Sequence, residues 1–473
     1  MDEQARADPA ATHNRRTLFG TSGIRGPADE FLSSRFAEKL GRAFGSYLQG
    51  KGTVFVGRDV RLHSKPIQTT LMDGLLLGGV DVADCGVIPT PGLLFAVREN
   101  DASAGLMVSG SHTPPEIAGV LFFLSDTGEM DSRGERSFES IFYSEPWLQS
   151  AASKKGQIQT LEITELYLRN VVKAIGNVGG YKVVVDPGNG ATYFTLPEAL
   201  EASGCSVTTI NGEPDGRFPT RPPNPQPSTL TQLSRAVKDS KADLGVGTDS
   251  DGDRAIFATA DGLVLWGDLT GALFVKDALE KNDGGTIITT VNTSNMVKII
   301  CQEVGGRLVT TKVGPPAIAE ALRSERGVIF ATEESGKHIW PSIIRYGDAA
   351  LASGKLLMIM KEHQANLQSL VDTLPKFYQM KSSLECPDEF KTEAMRYIIE
   401  NWKENELSHS STLDGLKVEY PDLTWFLVRA SWTEPLLRCS AEGRSVNEVS
   451  TLLDRATKLA VAALGKVRGT AQD

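Results

Sequence analysis

A chain of 473 residues is too long for one hydrophobic core, because cores stop growing near ~250–300 residues, so several domains are expected. Its hydrophobic fraction of 40% and charged fraction of 23% are ordinary for a globular protein, and no apolar run approaches the ~20 residues of a membrane span. The net charge of −10 opposes nucleic-acid binding, which normally uses a basic face. We therefore expect neither a membrane protein nor a nucleic-acid-binding protein.

The amino terminus and the cysteines favour a cytoplasmic location. Residues 1–16 are polar and lack the apolar core of a signal peptide, so we predict a flexible tail there. The five cysteines are odd in number and far apart, which predicts neither a disulfide framework nor a metal-ligand cluster. We expect them to be buried thiols.

Apolar runs punctuated by glycine alternate with helical patterns, which indicates α/β architecture. The first unit has strands at 53–56 and 80–85 around a helix at 67–77. The second has a strand at 181–186, a helix at 196–202 and another strand before Asp249, with a proline-rich extended loop at 219–227. The third opens with a strand at 285–290 and a helix at 294–303.

The last part of the chain differs from the first three units. It predicts one helix, two or three strands within 425–441, and a final helix at 446–464, which is typical of a small α+β lid. We therefore expect three domains of similar mixed α/β topology and a carboxy-terminal α+β domain. The predicted ranges are 17–160, 161–265, 266–376 and 377–473.

The first motif is a strand that ends in hydroxyl side chains, a histidine and two prolines, with Ser111 and His112 at its centre. Such a loop can expose a serine as a nucleophile. A hydrolase nucleophile elbow is excluded, because Ser109 and Thr113 stand where glycines are required. The alternative interpretation is an ordinary turn.

The second motif has three carboxylates at alternating positions, Asp249, Asp251 and Asp253, after an apolar run. Such closely spaced anions favour a cation, and their hard oxygens suit Mg²⁺. A calcium EF-hand is excluded, because its glycine and glutamate positions hold Arg254 and Ala260. The alternative is a solvated acidic turn.

The third motif places two arginines and two hydroxyl side chains in one loop: Arg429, Ser431, Thr433 and Arg438. Forked guanidinium donors and successive backbone amides suit a phosphate dianion. The alternative is a turn with incidental charges.

The fourth motif joins carboxylates and a hydroxyl, suited to sugar hydroxyls, to two basic side chains. Glu333 and Ser335 are the candidate sugar ligands, while Lys337 or His338 is a candidate for phosphate contact or proton transfer. A Walker phosphate loop is excluded, because Ala331 occupies a required glycine position.

Together and in this order, the motifs resemble those of the α-D-phosphohexomutase superfamily, which includes phosphoglucomutases, phosphomannomutases and phosphoglucosamine mutases. The resemblance covers nearly the whole chain. Further motifs carry it at 18–26, Gly57-Arg58-Asp59-Val60-Arg61, 222–225 and 311–314.

The resemblance implies four domains around a central cleft, with one loop from each domain. It implies interconversion of hexose 1-phosphate and 6-phosphate through a phosphoserine enzyme and a bisphosphorylated sugar, which also serves as activator. The partner would be a small phosphosugar, and the protein a monomer or homodimer. The implied roles are Ser111 as phosphoryl carrier; Asp249, Asp251, Asp253 and Ser111 as Mg²⁺ ligands; Arg25, His112 and Arg254 near the transferring group; Glu333 and Ser335 on sugar hydroxyls; and Arg429, Ser431, Thr433 and Arg438 on the other phosphate.

Four positions depart from the family pattern. Thr113 stands where asparagine is usual, Leu121 where lysine is usual, Lys337 where histidine is common, and Trp432 where glycine is expected. We hypothesise that Lys337 takes over the charge of the lysine missing at Leu121.

The departures leave alternatives open. One is a catalytically weakened paralogue that acts as a phosphosugar sensor or regulatory partner, and another is a metal-dependent phosphatase. No residue identifies the sugar as glucose, mannose or glucosamine phosphate, and a mutase for pentose phosphates is a further alternative.

Overall fold

The computed structural model describes residues 18–33, 35–148, 155–403, 408–431 and 434–470. The predicted tail at 1–16 lies outside the described residues, as do Trp432 and Thr433. Within these ranges, no helix combines the length and the apolar character that crossing a membrane requires.

The first sheet has six strands in the order β1-β5-β4-β2-β3-β6. Its strands are β1 (Ile24–Pro27), β2 (Thr53–Arg58), β3 (Asp81–Val87), β4 (Ala104–Val108), β5 (Ile117–Leu124) and β6 (Ile158–Thr160). Its helices are α1 (Ala28–Leu32), α2 (Phe36–Tyr47), α3 (Ser64–Leu77), α4 (Thr90–Glu99) and α5 (Ser132–Ser144). Every residue of β4 is buried, as expected for a central strand covered by helices on both faces.

Close packing of α2 on α3 depends on glycine. A Cβ added at Gly41 would lie 2.2 Å from the carbonyl oxygen of Leu71, and one at Gly74 would lie 2.1 Å from that of Glu38. The two helix backbones therefore approach more closely than any side chain at these positions would allow.

The second and third sheets have four strands each, in the orders β10-β9-β7-β8 and β12-β11-β13-β14. The second domain contains α6 (Thr164–Ile175), β7 (Lys182–Asp186), α7 (Thr195–Ala202), β8 (Ser206–Thr209), α8 (Thr231–Ser240), β9 (Leu244–Thr248) and β10 (Ala255–Ala258). The third contains α9 (Gly267–Asn282), β11 (Gly285–Thr290), α10 (Met296–Val304), β12 (Gly306–Thr311), α11 (Pro315–Ser324), β13 (Val328–Glu333), β14 (Lys337–Ile339), α12 (Ala349–Glu362) and α13 (Leu367–Val371).

The three sheets share one topological feature that positions the site. In each, a parallel strand is followed by an antiparallel neighbour: β5 after β4, β10 after β9, and β14 after β13. The serine, aspartate and sugar-binding motifs are the loops between these pairs. Equivalent loops of three similar domains therefore carry the three motifs.

The carboxy-terminal sheet is antiparallel throughout, in the order β15-β19-β18-β17-β16. It contains β15 (Tyr378–Glu385), α14 (Asp388–Asn401), β16 (His409–Ser411), β17 (Leu416–Glu419), β18 (Trp425–Ala430), β19 (Leu436–Gly443) and α15 (Val446–Thr470). The two strands around 425–441, β18 and β19, are confirmed. The prediction did not include β15, β16 and β17, which precede this stretch and are short or largely polar. The α/β class with an α+β lid is confirmed.

The hydrophobic cores also separate the first three domains from the carboxy-terminal domain. One cluster joins side chains of the first three domains, including Phe95, Tyr167 and Phe274, whereas the carboxy-terminal domain packs around its own cluster, including Phe426 and Leu437. The five cysteines are buried and unpaired, as predicted. The proposed boundaries at 160, 265 and 376 lie between the four sheets.

Candidate active site

Ser111 lies in the loop after β4, buried at the base of the cleft and held in an uncommon backbone conformation. Its φ is +50°, in the left-handed region that few serines adopt. Its Oγ lies 3.0 Å from Asp249 Oδ2 and 3.3 Å from Nδ1 of His112. The serine of the first domain therefore meets the aspartate loop of the second.

Asp249, Asp251 and Asp253 converge because their loop curls after β9, where Gly252 has a φ of +74°. All three are buried, and each offers a carboxylate oxygen within 4.8 Å of the others. Asp251 Oδ1 and Asp253 Oδ1 accept no hydrogen bond from the described residues. The set fits a hard divalent cation, whose charge would offset this concentration of anions.

The pKa values of the three aspartates are shifted in different directions by their surroundings. Burial and repulsion by neighbouring aspartates raise the pKa of Asp249 and Asp251. Burial acts in the same direction on Asp253, but the positive charges of Lys337 and Arg254 outweigh it and lower the pKa of Asp253. The loop is thus partly neutralised by two cations from the protein.

Arg254 and His112 form the rim of this pocket. Arg254 Nη2 donates to Nδ1 of His112 at 2.9 Å, and its backbone N–H donates to Asp249 at 3.2 Å. Burial and the positive charges of Arg254 and Arg25 hold the pKa of His112 well below its usual range. His112 is therefore a neutral imidazole that accepts from the guanidinium.

Lys337 begins β14 and is almost completely buried. Its Nζ donates to Asp253 Oδ2 at 2.7 Å and to the Tyr346 hydroxyl at 3.1 Å. His338 faces the opposite side of the strand, between Thr332 and Thr270, and burial lowers its pKa to about 3. Of the two basic candidates, Lys337 reaches the aspartate loop and His338 packs into the third domain.

Two departures from the family pattern have defined surroundings. Leu121 is fully buried in β5 opposite Met107, so an apolar side chain packs where the family has a lysine. The Thr113 hydroxyl donates to the carbonyl of Gly110 at 2.7 Å and closes the serine loop on itself.

Sequence reasoning missed a buried acid, Glu129. It accepts hydrogen bonds from the hydroxyls of Ser22 at 2.9 Å and Tyr346 at 3.3 Å, and burial raises its pKa to about 7. Ser22 in turn lies 3.5 Å from Arg25, while Tyr346 contacts Lys337. Glu129 thus links two candidate catalytic cations, and no local pattern in the sequence signals it.

The sugar motif and the phosphate motif face the same cleft. Glu333 is buried at the end of β13, and the buried Oγ of Ser335 has no hydrogen-bond partner among the described residues. Arg429 and Arg438 are paired opposite each other on β18 and β19. Ser431 is buried beside them, while the predicted ligand Thr433 lies outside the described residues.

A second residue missed by sequence reasoning supports the phosphate motif. Lys391, on α14, is buried and donates to the carbonyls of Ser431 at 2.5 Å and Glu434 at 2.6 Å. It also forms an ion pair with Asp388 at 2.5 Å. Lys391 therefore ties together the two described ends of the phosphate motif.

Each of the four domains contributes to one cleft, which is lined by the serine, sugar-binding and phosphate-binding motifs and by Arg254 of the aspartate loop. The chain matches four family models in succession, described as domains I, II and III (alpha/beta/alpha) and the C-terminal domain of phosphoglucomutase/phosphomannomutase. The matched residues are 16–149, 165–262, 266–378 and 383–459.

Similar proteins cover almost the whole chain. A probable phosphoglucosamine mutase of Methanopyrus kandleri is 36% identical over 92% of this chain and 96% of the relative. A phosphoglucomutase/phosphomannomutase of Thermococcus kodakarensis is 35% identical over 94% of this chain and 99% of the relative. A crystal structure of a family protein from Burkholderia thailandensis has a TM-score of 0.85 at 28% identity, covering 95% of this chain and 98% of that one. The chain therefore belongs to the phosphoglucomutase/phosphomannomutase family and is a phosphosugar mutase, an enzyme of the isomerase class.

Proposed function

We propose that this mutase interconverts hexose 1-phosphate and hexose 6-phosphate by carrying the phosphoryl group on Ser111. The observation that carries the proposal is the 3.0 Å contact between Ser111 Oγ and Asp249 Oδ2. The same cleft contains Arg429 and Arg438, which lie opposite each other on β18 and β19. A nucleophile beside three carboxylates and opposite a phosphate receptor is suited to transfer between two ends of one phosphosugar.

We assign Asp249, Asp251 and Asp253 to Mg²⁺, together with an oxygen of phosphorylated Ser111. The two carboxylate oxygens without hydrogen-bond partners among the described residues support this assignment. When bound, the ion neutralises the phosphoryl oxygens and thereby lowers the barrier to their transfer.

Side chains of the protein carry and stabilise the phosphoryl group during transfer. Transfer breaks the bond between phosphorus and Ser111 Oγ and forms a bond from phosphorus to the free sugar hydroxyl. The proton of that hydroxyl is balanced by the proton that the released Ser111 Oγ takes up. Arg25, His112 and Arg254 surround the transferring group and stabilise its charge. The product is a bisphosphorylated sugar, which reorients and returns its other phosphate to Ser111. The same bisphosphorylated sugar acts as activator by loading unphosphorylated Ser111.

The remaining motifs hold the parts that do not react. We assign Glu333 and Ser335 to sugar hydroxyls, an assignment supported by their position beside the aspartate loop in the cleft. Arg429, Ser431, Thr433 and Arg438 are assigned to the other phosphate, and one such receptor serves both orientations of the sugar.

Lys337 is assigned to the reacting end of the cleft. Its contact with Asp253 supports the hypothesis that it supplies the charge of the lysine absent at Leu121. It would partly neutralise the phosphoryl group or assist proton transfer to and from the sugar hydroxyl. We further propose action in the cytoplasm, as a monomer or homodimer, on a small phosphosugar.

Coupled assays with glucose, mannose and glucosamine 1-phosphates, and with a pentose phosphate, test this function with and without a bisphosphorylated activator. A mutase forms the isomeric phosphosugar, and the activator raises the rate. Release of inorganic phosphate without isomer formation indicates a phosphatase instead. Binding of phosphosugars without either product indicates the weakened, sensor-type paralogue.

A further inference from the structure

The motif Asp59-Val60-Arg61 has no assigned role in the proposed reaction, yet it lies directly beneath the serine loop. Arg61 follows β2, and its side chain is fully buried, as is that of Asp59. Its Nε donates to Asp59 Oδ2 at 3.0 Å, and the ring of Phe218, from the second domain, lies 5.0 Å from the guanidinium. A buried ion pair is therefore enclosed between two domains.

The free nitrogens of Arg61 bind the serine loop itself. Nη2 donates to the carbonyl oxygens of Ser111 at 2.6 Å and Thr113 at 2.7 Å, and Nη1 donates to that of Pro114 at 2.6 Å. Three carbonyls of one loop thus converge on one planar guanidinium. Such convergence requires the rigid, forked geometry that arginine provides and lysine lacks.

The Asp59 carboxylate holds the backbone N–H of Ser111 through the side chain of Ser109. Asp59 Oδ2 accepts from the Ser109 hydroxyl at 2.8 Å, and the Ser109 Oγ accepts from the backbone N–H of Ser111 at 2.8 Å. The Ser250 hydroxyl, from the aspartate loop, adds a bond to the Ser111 carbonyl at 2.7 Å. Both backbone polar groups of Ser111 are therefore fixed, at a residue whose φ is +50°.

A parallel arrangement supports the aspartate loop. Arg221 pairs with Asp186 at 3.0 Å, both are buried, and Arg221 Nη2 donates to the Thr248 carbonyl at 2.8 Å. Each of the two loops that meet at the reaction centre is therefore held from below by a buried arginine–aspartate pair.

We propose that Asp59 and Arg61 are positioning residues that hold Ser111 in its strained backbone conformation, so that Oγ is aligned for phosphoryl transfer in both directions. This inference rests on the proposed role of Ser111. A displacement of about 1 Å at a reacting atom costs on the order of 10²-fold in rate. No hydrogen bond or ion pair joins Asp59 or Arg61 to the described residues of the sugar-binding and phosphate-binding motifs, so substrate affinity should not change.

Arg61→Lys is the principal test, because it retains the buried charge next to Asp59 and removes the fork. Arg217→Lys is the matched control. Arg217 pairs with an aspartate two residues before it in the sequence, Asp215, as Arg61 does with Asp59, but the side chain of Arg217 is 72% exposed. Ser109→Ala is a milder second variant, since it removes only the hydroxyl between Asp59 and the Ser111 amide. Each purified protein is checked by circular dichroism and its melting temperature is measured.

The readout is single-turnover transfer from phosphoserine to sugar phosphate, together with kcat and KM, per folded molecule. We expect Arg61→Lys to lower the transfer rate and kcat by about 10- to 100-fold with an unchanged KM. Ser109→Ala should show a smaller loss of the same kind, and Arg217→Lys none. A merely structural role would lower the melting temperature and leave transfer per folded molecule unchanged.

The two proposals fail differently. Normal transfer rates in folded Arg61→Lys, or in Ser109→Ala if Arg61→Lys does not fold, overturn the positioning role alone. Mass measurement of the parent enzyme after treatment with bisphosphorylated sugar tests the carrier. Phosphate found elsewhere than on Ser111 overturns the proposed function, and the positioning role with it.

Discussion

Replacing Lys337 with methionine tests how the reaction centre is neutralised. Lys337→Met keeps the length and volume of a side chain that is 3% exposed, while it removes the ammonium 2.7 Å from Asp253. The change leaves Arg254 as the remaining protein cation within ion-pair distance of the aspartate loop among the described residues. One positive charge is thus lost beside the aspartate loop, where the proposed transfer develops charge on the phosphoryl group.

The size of the effect follows from the burial of the pair. Loss of a charge-assisted contact to a developing anion costs about 2–4 kcal/mol of transition-state stabilisation, or roughly 10²–10³ in rate. Breaking a buried ion pair also costs about 3–5 kcal/mol of folding stability. Bound Mg²⁺ should offset part of that second loss, because it neutralises the same carboxylates.

Steady-state kinetics separate the possible roles of Lys337. We expect Lys337→Met to depress kcat by about 10²–10³ and to change KM little, whereas loss of a ground-state phosphate anchor would chiefly raise KM. His338→Gln is the matched control, since His338 lies on the same strand but faces the opposite way. A Lys337→Met enzyme with near-normal kcat would refute the reasoning.

Three further predictions concern the carrier, the metal and stability. Intact-protein and peptide mass measurements after treatment with bisphosphorylated sugar should find the phosphate on Ser111, and label on Ser109 alone would contradict this. Asp251→Asn should weaken Mg²⁺ binding in titration calorimetry and nearly abolish transfer, so undiminished activity would argue against the assigned ligand set. Asp348→Ala removes both the amino-terminal cap of α12 and the partner of the Tyr167 hydroxyl, and should cost about 2–4 kcal/mol in scanning calorimetry. An unchanged calorimetric profile would show that this buried contact is not stabilising.

Local pattern was enough to predict the α/β class and the motif loops. Every residue of β4 and β9 is buried because both faces of their sheets are covered, and both strands are apolar apart from Thr248 at the end of β9. A polar side chain follows each strand directly. A strand followed by a polar loop is a local signal, readable without knowledge of the partner domain. Strands β16 and β17 lack a continuous apolar run: β16 consists of three polar residues, and β17 is four residues long with lysine and glutamate at every second position.

Contacts between distant segments could not be predicted in this way. Arg61 lies 50 residues from the serine whose carbonyl it binds, and Lys337 lies 84 residues from Asp253. Glu129 joins Ser22 to Tyr346 across 107 and 217 residues. Arg61 and Lys337 stand in recognisable motifs and Glu129 does not, but in all three cases only the packing of the domains gives the buried side chain its partner.

The contacts of the carboxy-terminal domain suit a part that must release and rebind substrate. Its interface with the third domain is held largely by polar groups: Asn295 donates to Glu442 at 2.9 Å, Val313 to Asp414 at 3.0 Å, and Lys417 to the carbonyl of Val291 at 2.8 Å. The apolar part is a small cluster of Val291, Trp425 and Leu427, against which Val313 packs. Polar interdomain contacts can be exchanged for water at low cost, so relative motion is expected.

Reorientation of the bisphosphorylated sugar would require this motion of the carboxy-terminal domain. In the proposed reaction, one phosphate receptor has to release the first phosphate and accept the second, and it cannot do so while the cleft is closed over both. The ion pair between Lys381, on β15, and Glu334, within the sugar motif, joins the two sides of the cleft. Because the lid has its own core, it can move as a rigid body without disturbing Ser111 or the aspartate loop. We therefore expect closure to exclude water during transfer and opening to permit the turn, with the reaction centre fixed throughout.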